Sequence, residues 1–266
     1  MVVGVLDPNP RVAGGGMRQL KRAGIETVVG VLGDECAALL RPYRKWLTEK
    51  RPWVTLKAAV TLDGRMAARG GDARWVSGER SRLEAHRMRD RMDAILVGAG
   101  TVRADDPALT TRLPGRRGRD PQRVILDGRL SIPPAAQAVP GAWIMTTEAA
   151  TVGRARKLTA RGAEVVRLRG RDGRVALEAL LDELGRRGVT TLLVEGGGVV
   201  HGAFVQAGLA DELVLFVAPK LIGADGVPLL GTAGPAKMAD AWRLSQVSTR
   251  RLGDDILVVG DVLRSS

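Results

Sequence analysis

The sequence predicts an α/β protein with a largely parallel sheet, and three observations lead there. Short β-branched runs alternate with amphipathic stretches over most of the chain. The 266 residues are 45% hydrophobic, enough to bury a full core in one large domain or one domain with an appendage. Near the C-terminus two alternating runs flank Gly253-Asp254-Asp255, which predicts an antiparallel hairpin finishing the sheet.

In order, Val2 to Leu6 reads as a strand, Asp7-Pro8-Asn9-Pro10 as a turn, and Met17 to Ala23 as a short helix ended by Gly24. Thr27 to Leu32 is the next strand. From Asp34 to about Lys50, Cys36, Leu39, Leu40, Trp46 and Leu47 recur at helical spacing, with Pro42 set to kink or divide the helix. Arg51-Pro52 closes this segment, which holds too few strands to be a complete domain.

The main body opens with a strand from Trp53 to Ala59 and a turn at Leu62-Asp63-Gly64. Ser77 is a candidate N-cap, with Glu79 in the first turn of a helix reaching about Arg91. Buried strands follow at Ala94 to Gly98, Arg123 to Leu126, Ala142 to Met145, Glu164 to Leu168, Thr191 to Val194 and Glu212 to Ala218. Helical patterns lie at Arg154 to Arg161 and Val175 to Arg187, and the final hairpin pairs Leu244 to Arg250 with Ile256 to Val262.

No apolar run approaches the roughly 20 residues that cross a bilayer, and Asp7 and Pro8 interrupt any leader, so a cytoplasmic setting is expected. The net charge of +12 suits phosphate-bearing partners. Nucleic acid is disfavoured, because the cations are spread along the chain and only five Trp, two Phe and one Tyr could stack on bases. The single Cys36 rules out an internal disulfide, and it also rules out a nucleobase zinc deaminase centre, which needs two cysteines beside a His or Cys. No metal is expected.

Val194-Glu195-Gly196-Gly197-Gly198 leaves a buried strand and opens a helix at Val199, so bare N–H groups could gather round a phosphate. A tight strand-to-helix turn explains the glycines equally well, and His201 stands where a dinucleotide fingerprint would place its last glycine. Glu195 sits at the carboxyl end of a strand, where open α/β sheets place ligands. Thr101 to Arg112 reads as a loop with adjacent carboxylates at Asp105 and Asp106; Asp105 could act as an acid only if its pKa rose above the usual value of about 3.9. Arg89 and Arg112 are candidate phosphate clamps, while His86 and His201 lie in no metal or nucleophile motif.

Five motifs in order span the chain: Thr55-Leu56-Lys57 to Thr61-Leu62-Asp63-Gly64-Arg65; Trp75-Val76-Ser77; Gly98 to Asp105-Asp106-Pro107; Val194-Glu195-Gly196-Gly197; and Asp211-Glu212 to Ala218-Pro219-Lys220-Leu221-Ile222-Gly223. This series closely resembles the bacterial riboflavin-biosynthesis deaminase-reductases. The resemblance implies a dihydrofolate-reductase-like, homodimeric reductase over residues 51–266, with residues 1–50 a remnant of the zinc deaminase domain lacking its metal site. It implies reduction of 5-amino-6-(5-phosphoribosylamino)uracil to its ribityl counterpart with NADPH. Hydride would reach C1′ of the opened ribosylamine, with Asp105 positioning or protonating the substrate and Lys57 also reaching it.

By the same resemblance, substrate contacts fall on Ala73, Arg89, Asp105, Leu109, Arg112 and Glu195, and NADPH contacts on Ala59, Trp75, Thr101, Gly128 and the turn Gly197, Gly198, Val199, Val200, His201, Gly202 and Ala203. The family usually has a hydroxyl residue at Ala73 and a serine at Gly128. Two alternatives stay open: a reductase of the same fold acting on a pterin or another pyrimidine, and a non-catalytic binding or scaffold protein.

Overall fold

The computed structural model describes residues 1–12 and 14–263; the last three positions of the 51–266 span lie outside the described residues. The chain starts with β1 (Val2–Val3), α1 (Gly15–Arg22), β2 (Val28–Val29), α2 (Gly33–Leu39) and α3 (Arg41–Glu49). The body follows with β3 (Trp53–Thr61), β4 (Arg65–Ala67), α4 (Glu79–Arg91), β5 (Ala94–Gly98), α5 (Ala99–Asp105), β6 (Gln122–Leu126), β7 (Trp143–Thr146), α6 (Val152–Thr159), β8 (Glu164–Arg167) and the small β9 (Gly170–Arg171) and β10 (Arg174–Val175). It ends with α7 (Leu177–Arg186), β11 (Thr191–Val194), α8 (Gly198–Gln206), β12 (Glu212–Ala218), β13 (Val227–Pro228), a 3-10 turn at Met238–Asp240, β14 (Leu244–Leu252) and β15 (Asp255–Val262).

One nine-stranded sheet runs β14-β15-β12-β3-β11-β5-β6-β7-β8. From β12 to β8 every neighbouring pair is parallel, and β15 and β14 add antiparallel at the β12 edge. Helices cover both faces because the central strands are apolar throughout: every residue of β5 is buried. On one face Leu180, Leu181 and Leu184 of α7 and Phe204 of α8 pack on Leu56, Leu96 and Leu192. On the other, Val102 and Leu158 pack on Ile95, Ile125, Ile144 and Leu193. This is the expected α/β arrangement, a mostly parallel sheet flanked by helices and finished by an antiparallel hairpin.

Pro42 divides the second helical pattern as its sequence requires, standing in the first turn of α3, where its missing N–H costs nothing. Residues 41–50 are fastened to the body. Lys45 Nζ reaches Asp211 Oδ2 at 2.5 Å with both side chains 7% exposed, and Trp46 Nε1 donates to Gly185 O at 3.0 Å. A Cβ on Gly185 would collide with Lys50 O, so this helix glycine is where the two segments touch.

Several local expectations change. The strands expected at Val2 to Leu6 and Thr27 to Leu32 shrink to the two-residue β1 and β2. The N-cap of α4 is Gly78, not Ser77; Asp255, arriving from β15, accepts from Gly78 N at 2.7 Å and Ser81 Oγ at 2.5 Å and satisfies the helix end from outside. The segment from Thr101 is not wholly a loop, since α5 runs to Asp105 and stops two residues before Pro107. The span from Gly197 to Ala203 is a turn only at its start, because α8 begins at Gly198.

Candidate active site

A cavity of about 270 Å³ opens where the carboxyl ends of β3 and β11 meet α4 and the loop carrying Ala73 and Trp75. Helical spacing puts Ser81, Arg82, Ala85, His86 and Arg89 of α4 along its wall. Strand alternation brings Lys57 and Ala59 of β3 to the same side.

At its floor Glu195, the residue after β11, meets two cations. Arg89 Nε donates to Oε1 and Nη2 to Oε2, each at 2.8 Å, and Lys57 Nζ lies 3.4 Å from Oε2. Burial alone would raise the glutamate's pKa, but the charges of Lys57 and Arg89 and their hydrogen bonds outweigh it and hold the carboxyl well below the usual range. Arg89 also donates Nη1 to Thr110 O at 3.0 Å, so three of its five N–H groups are engaged by protein. It braces Glu195 and itself lines the cavity.

Arg112, exposed and lining the cavity, has no ion pair among the described residues. Its backbone N–H donates to His86 Nδ1 at 3.2 Å, which places the ring proton of a neutral His86 on Nε2. Burial first, then Arg89 and Arg112, push this histidine down to about 4. His86, set aside on sequence because it lies in no metal or nucleophile motif, lines the cavity. The signal was its place three residues before Arg89, on the same helix face.

Asp105 ends α5, exposed and outside the cavity lining. Surrounding protein raises its pKa, and Arg74, between cavity residues Ala73 and Trp75, partly offsets this. Leu109 turns its side chain into the core, 4% exposed, and offers a ligand only backbone; its φ of 55° is the left-handed region that leucine rarely adopts. Trp75 is exposed on the rim, with the Arg82 guanidinium stacked 4.6 Å from its ring centre.

The remaining predicted residues lie in a row. Ala59 is on β3, Gly197 follows β11, Thr101 is in α5 after β5, and Gly128 follows β6; these four strands are consecutive in the sheet. The N-termini of α5 and α8 open side by side, since Gly98 lies against Val200 and Gly197 against Thr101. The N–H groups at the start of the nine-residue α8 thus lie beside the start of α5, a setting that fits the diphosphate of a dinucleotide. A Cβ built on Gly197 would meet only Thr101 Oγ1, at 3.8 Å, so that cradle is open.

Gly198 differs, being packed beneath the backbone of Pro228 to Gly231, with Gly231 N donating to Gly198 O at 2.8 Å. Val199 is 69% exposed, whereas Val200 folds over Gly196. One helical turn on, His201 is fully buried, its Nε2 3.3 Å from Val194 O, and Gly202 is covered by Thr232. Helical periodicity turns these and the half-buried Ala203 towards the core, so any contact in this span concentrates at its first residues.

Residues 52–258 match the model of the RibD C-terminal domain. The chain belongs to this family. The riboflavin biosynthesis protein RibD of Bacillus amyloliquefaciens is 40% identical over 259 residues, covering 96% of this chain and 69% of the relative. Among solved structures, Acinetobacter baumannii RibD superposes with a TM-score of 0.85 at 31% identity, over 98% of this chain and 72% of that one. The deaminase/5-amino-6-(5-phosphoribosylamino)uracil reductase of Thermotoga maritima gives 0.78 at 32%, over 98% and 71%. This RibD C-terminal domain protein is thus similar to its relatives along nearly its whole described length, residues 1–50 included.

Proposed function

We propose that the protein catalyses the pyrimidine reductase step of riboflavin biosynthesis, converting 5-amino-6-(5-phosphoribosylamino)uracil to the ribityl compound with NADPH as reductant. The observation that carries this is the Lys57–Glu195–Arg89 cluster at the floor of a cavity adjoining the paired helix N-termini.

The nicotinamide, when bound, supplies the hydride; Ala59, Trp75, Thr101, Gly197, Gly198 and Val199 would hold the dinucleotide along the sheet's carboxyl edge. Glu195, kept ionised, offers its remaining lone pairs to the pyrimidine and holds Lys57 towards the substrate. Lys57 presents an ammonium where charge builds on the reacting sugar. Arg112, with no ion pair of its own among the described residues, takes the substrate phosphate, and Arg89, paired with Glu195, turns its remaining N–H groups to the substrate. Asp105, its pKa raised by desolvation and its charge felt by Arg74 between Ala73 and Trp75, orients the ribosyl chain and supplies a proton.

Residues 1–50 are read as the tail of a deaminase domain, and the protein as a cytoplasmic homodimer. The nine-residue edge strand β14, with Val247 54% exposed, supports self-association.

The test is NADPH oxidation with the pyrimidine substrate and identification of the ribityl product by mass. Asp105→Asn should lower kcat on the order of 10²-fold or more while NADPH affinity stays near wild type. Unchanged turnover would remove Asp105 from the chemistry, and no turnover by the wild-type protein would remove the assignment.

A further inference from the structure

The row Ala59, Gly197, Thr101, Gly128 gives the cofactor a direction across β3, β11, β5 and β6. Adjacent strands lie about 4.8 Å apart, so Gly128 stands roughly 10 Å beyond Gly197, on the side away from the cavity. A dinucleotide with its nicotinamide at the cavity and its diphosphate at the two helix N-termini therefore carries its adenosine past β6.

At that end the chain has an unusual construction. A Cβ on Gly128 would collide with Gly173 O, because the turn between β9 and β10 lies directly on it. No side chain has room at this position, because the hairpin fills it. The hairpin carries Arg171 and Arg174, and with Arg169 they border an open groove of about 460 Å³. Arg129 passes along Gly173 and donates to Asp172 O at 3.3 Å, while Arg154 donates to Arg129 O at 3.1 Å.

Few carboxylates oppose this charge. Asp127 is buried and accepts from Ile132 N at 2.9 Å and Ser131 Oγ at 3.2 Å, closing its own loop. Asp172 lies 3.6 Å from Arg171 with both side chains in solvent, an arrangement of little energetic weight. Arg169 and Arg174 are exposed and have no ion pair or side-chain hydrogen bond among the described residues. Unpaired guanidiniums around a groove select a phosphate monoester, whose oxygens match their planar fork.

We propose that the β9–β10 hairpin, through Arg169 and Arg174 with Arg129 beside them, binds the 2′-phosphate of the cofactor's adenosine ribose. Recognition is by guanidinium, brought over Gly128 by the hairpin, and the hairpin sets the preference for NADPH over NADH. The inference rests on the reductase reading above and assigns the residues that discriminate the cofactor.

The experiment titrates NADPH and NADH, by nicotinamide fluorescence at fixed ionic strength, into the wild-type protein and into the Arg169→Ala/Arg174→Ala variant. Thermal melts confirm that this exposed double substitution folds. Wild type should favour NADPH, and the double variant should lose about tenfold or more in NADPH affinity, bringing it towards NADH. Equal wild-type affinities, or a preference that survives in the variant, would overturn the hairpin assignment while leaving a dinucleotide reductase. Binding of neither dinucleotide would overturn the reductase reading and the hairpin site with it.

Discussion

Glu195 and His201 are six residues apart, one on each side of the glycine turn, and burial acts on them with opposite outcomes. Glu195 stays ionised because Lys57 and Arg89 outweigh its desolvation. His201 has no such partner: Nε2 donates to Val194 O, Nδ1 is buried without a hydrogen bond, and desolvation pushes the ring down from 6.5 to about 4. The folded protein binds this proton less readily than the unfolded chain, so the histidine's cost is absent above pH 6.5 and grows as pH falls from 6.5 to about 4. Full loss across that window is on the order of 3 kcal/mol. His201→Leu should flatten much of the acid-side slope in urea melts recorded between pH 7 and 4, with His86 supplying a residual slope of the same sign. A variant as acid-sensitive as wild type would show that His201 finds a partner for its charge.

Elements with a strong apolar period or a hard breaker were legible in the sequence. Strand β11 shows as four consecutive apolar or β-branched residues, and the break at Pro42 follows from its missing N–H. Helix α5 was not legible, because Ala-Gly-Thr-Val-Arg-Ala-Asp holds a glycine and two β-branched residues within seven. Strands β4 and β13 were not either, since they pair antiparallel over two or three residues brought together from 160 positions apart. At the site, the motifs identified Glu195 and its cations, but not that Arg89 grips Glu195 through two nitrogens or that His86 accepts from the Arg112 backbone N–H. Those are tertiary facts.

The same limit applies to the glycines of α8, which look alike in sequence and differ in space. A methyl at position 198 meets the backbone of Pro228 to Gly231, whereas at 197 it meets only Thr101 Oγ1, at 3.8 Å. Gly198→Ala should therefore destabilise the fold by about 1–3 kcal/mol. Gly197→Ala, with φ already at −74°, should leave the melting temperature nearly unchanged and weaken NADPH binding by crowding the cradle. Equal melting temperatures for the two variants, together with equal affinities, would refute this division.

For the whole molecule, the question is whether the first fifty residues belong to the folding unit. Their two halves differ. Residues 1–39 form a two-stranded parallel pair and short helices with Val2, Val28, Val29, Leu32 and Leu39 exposed, and none of α1, β2 and α2 buries a residue. Helix α3 is bound to the core: Lys45 pairs with Asp211, which also accepts from Val54 N at 2.7 Å, and Arg41 pairs with Asp261 at 2.5 Å and covers the Trp53 ring. Removing one partner of a buried pair leaves the other charge unpaired, at about 3–5 kcal/mol. Truncation to residue 40 should therefore leave the melting temperature close to that of the full chain, whereas truncation to residue 50 should lower it sharply. Lys45→Met alone should reproduce most of that fall, and Lys45→Met with Asp211→Asn should recover part of it, because the uncompensated charge is gone. If the chain lacking 50 residues melts with the full chain, α3 is an appendage and the body folds without it.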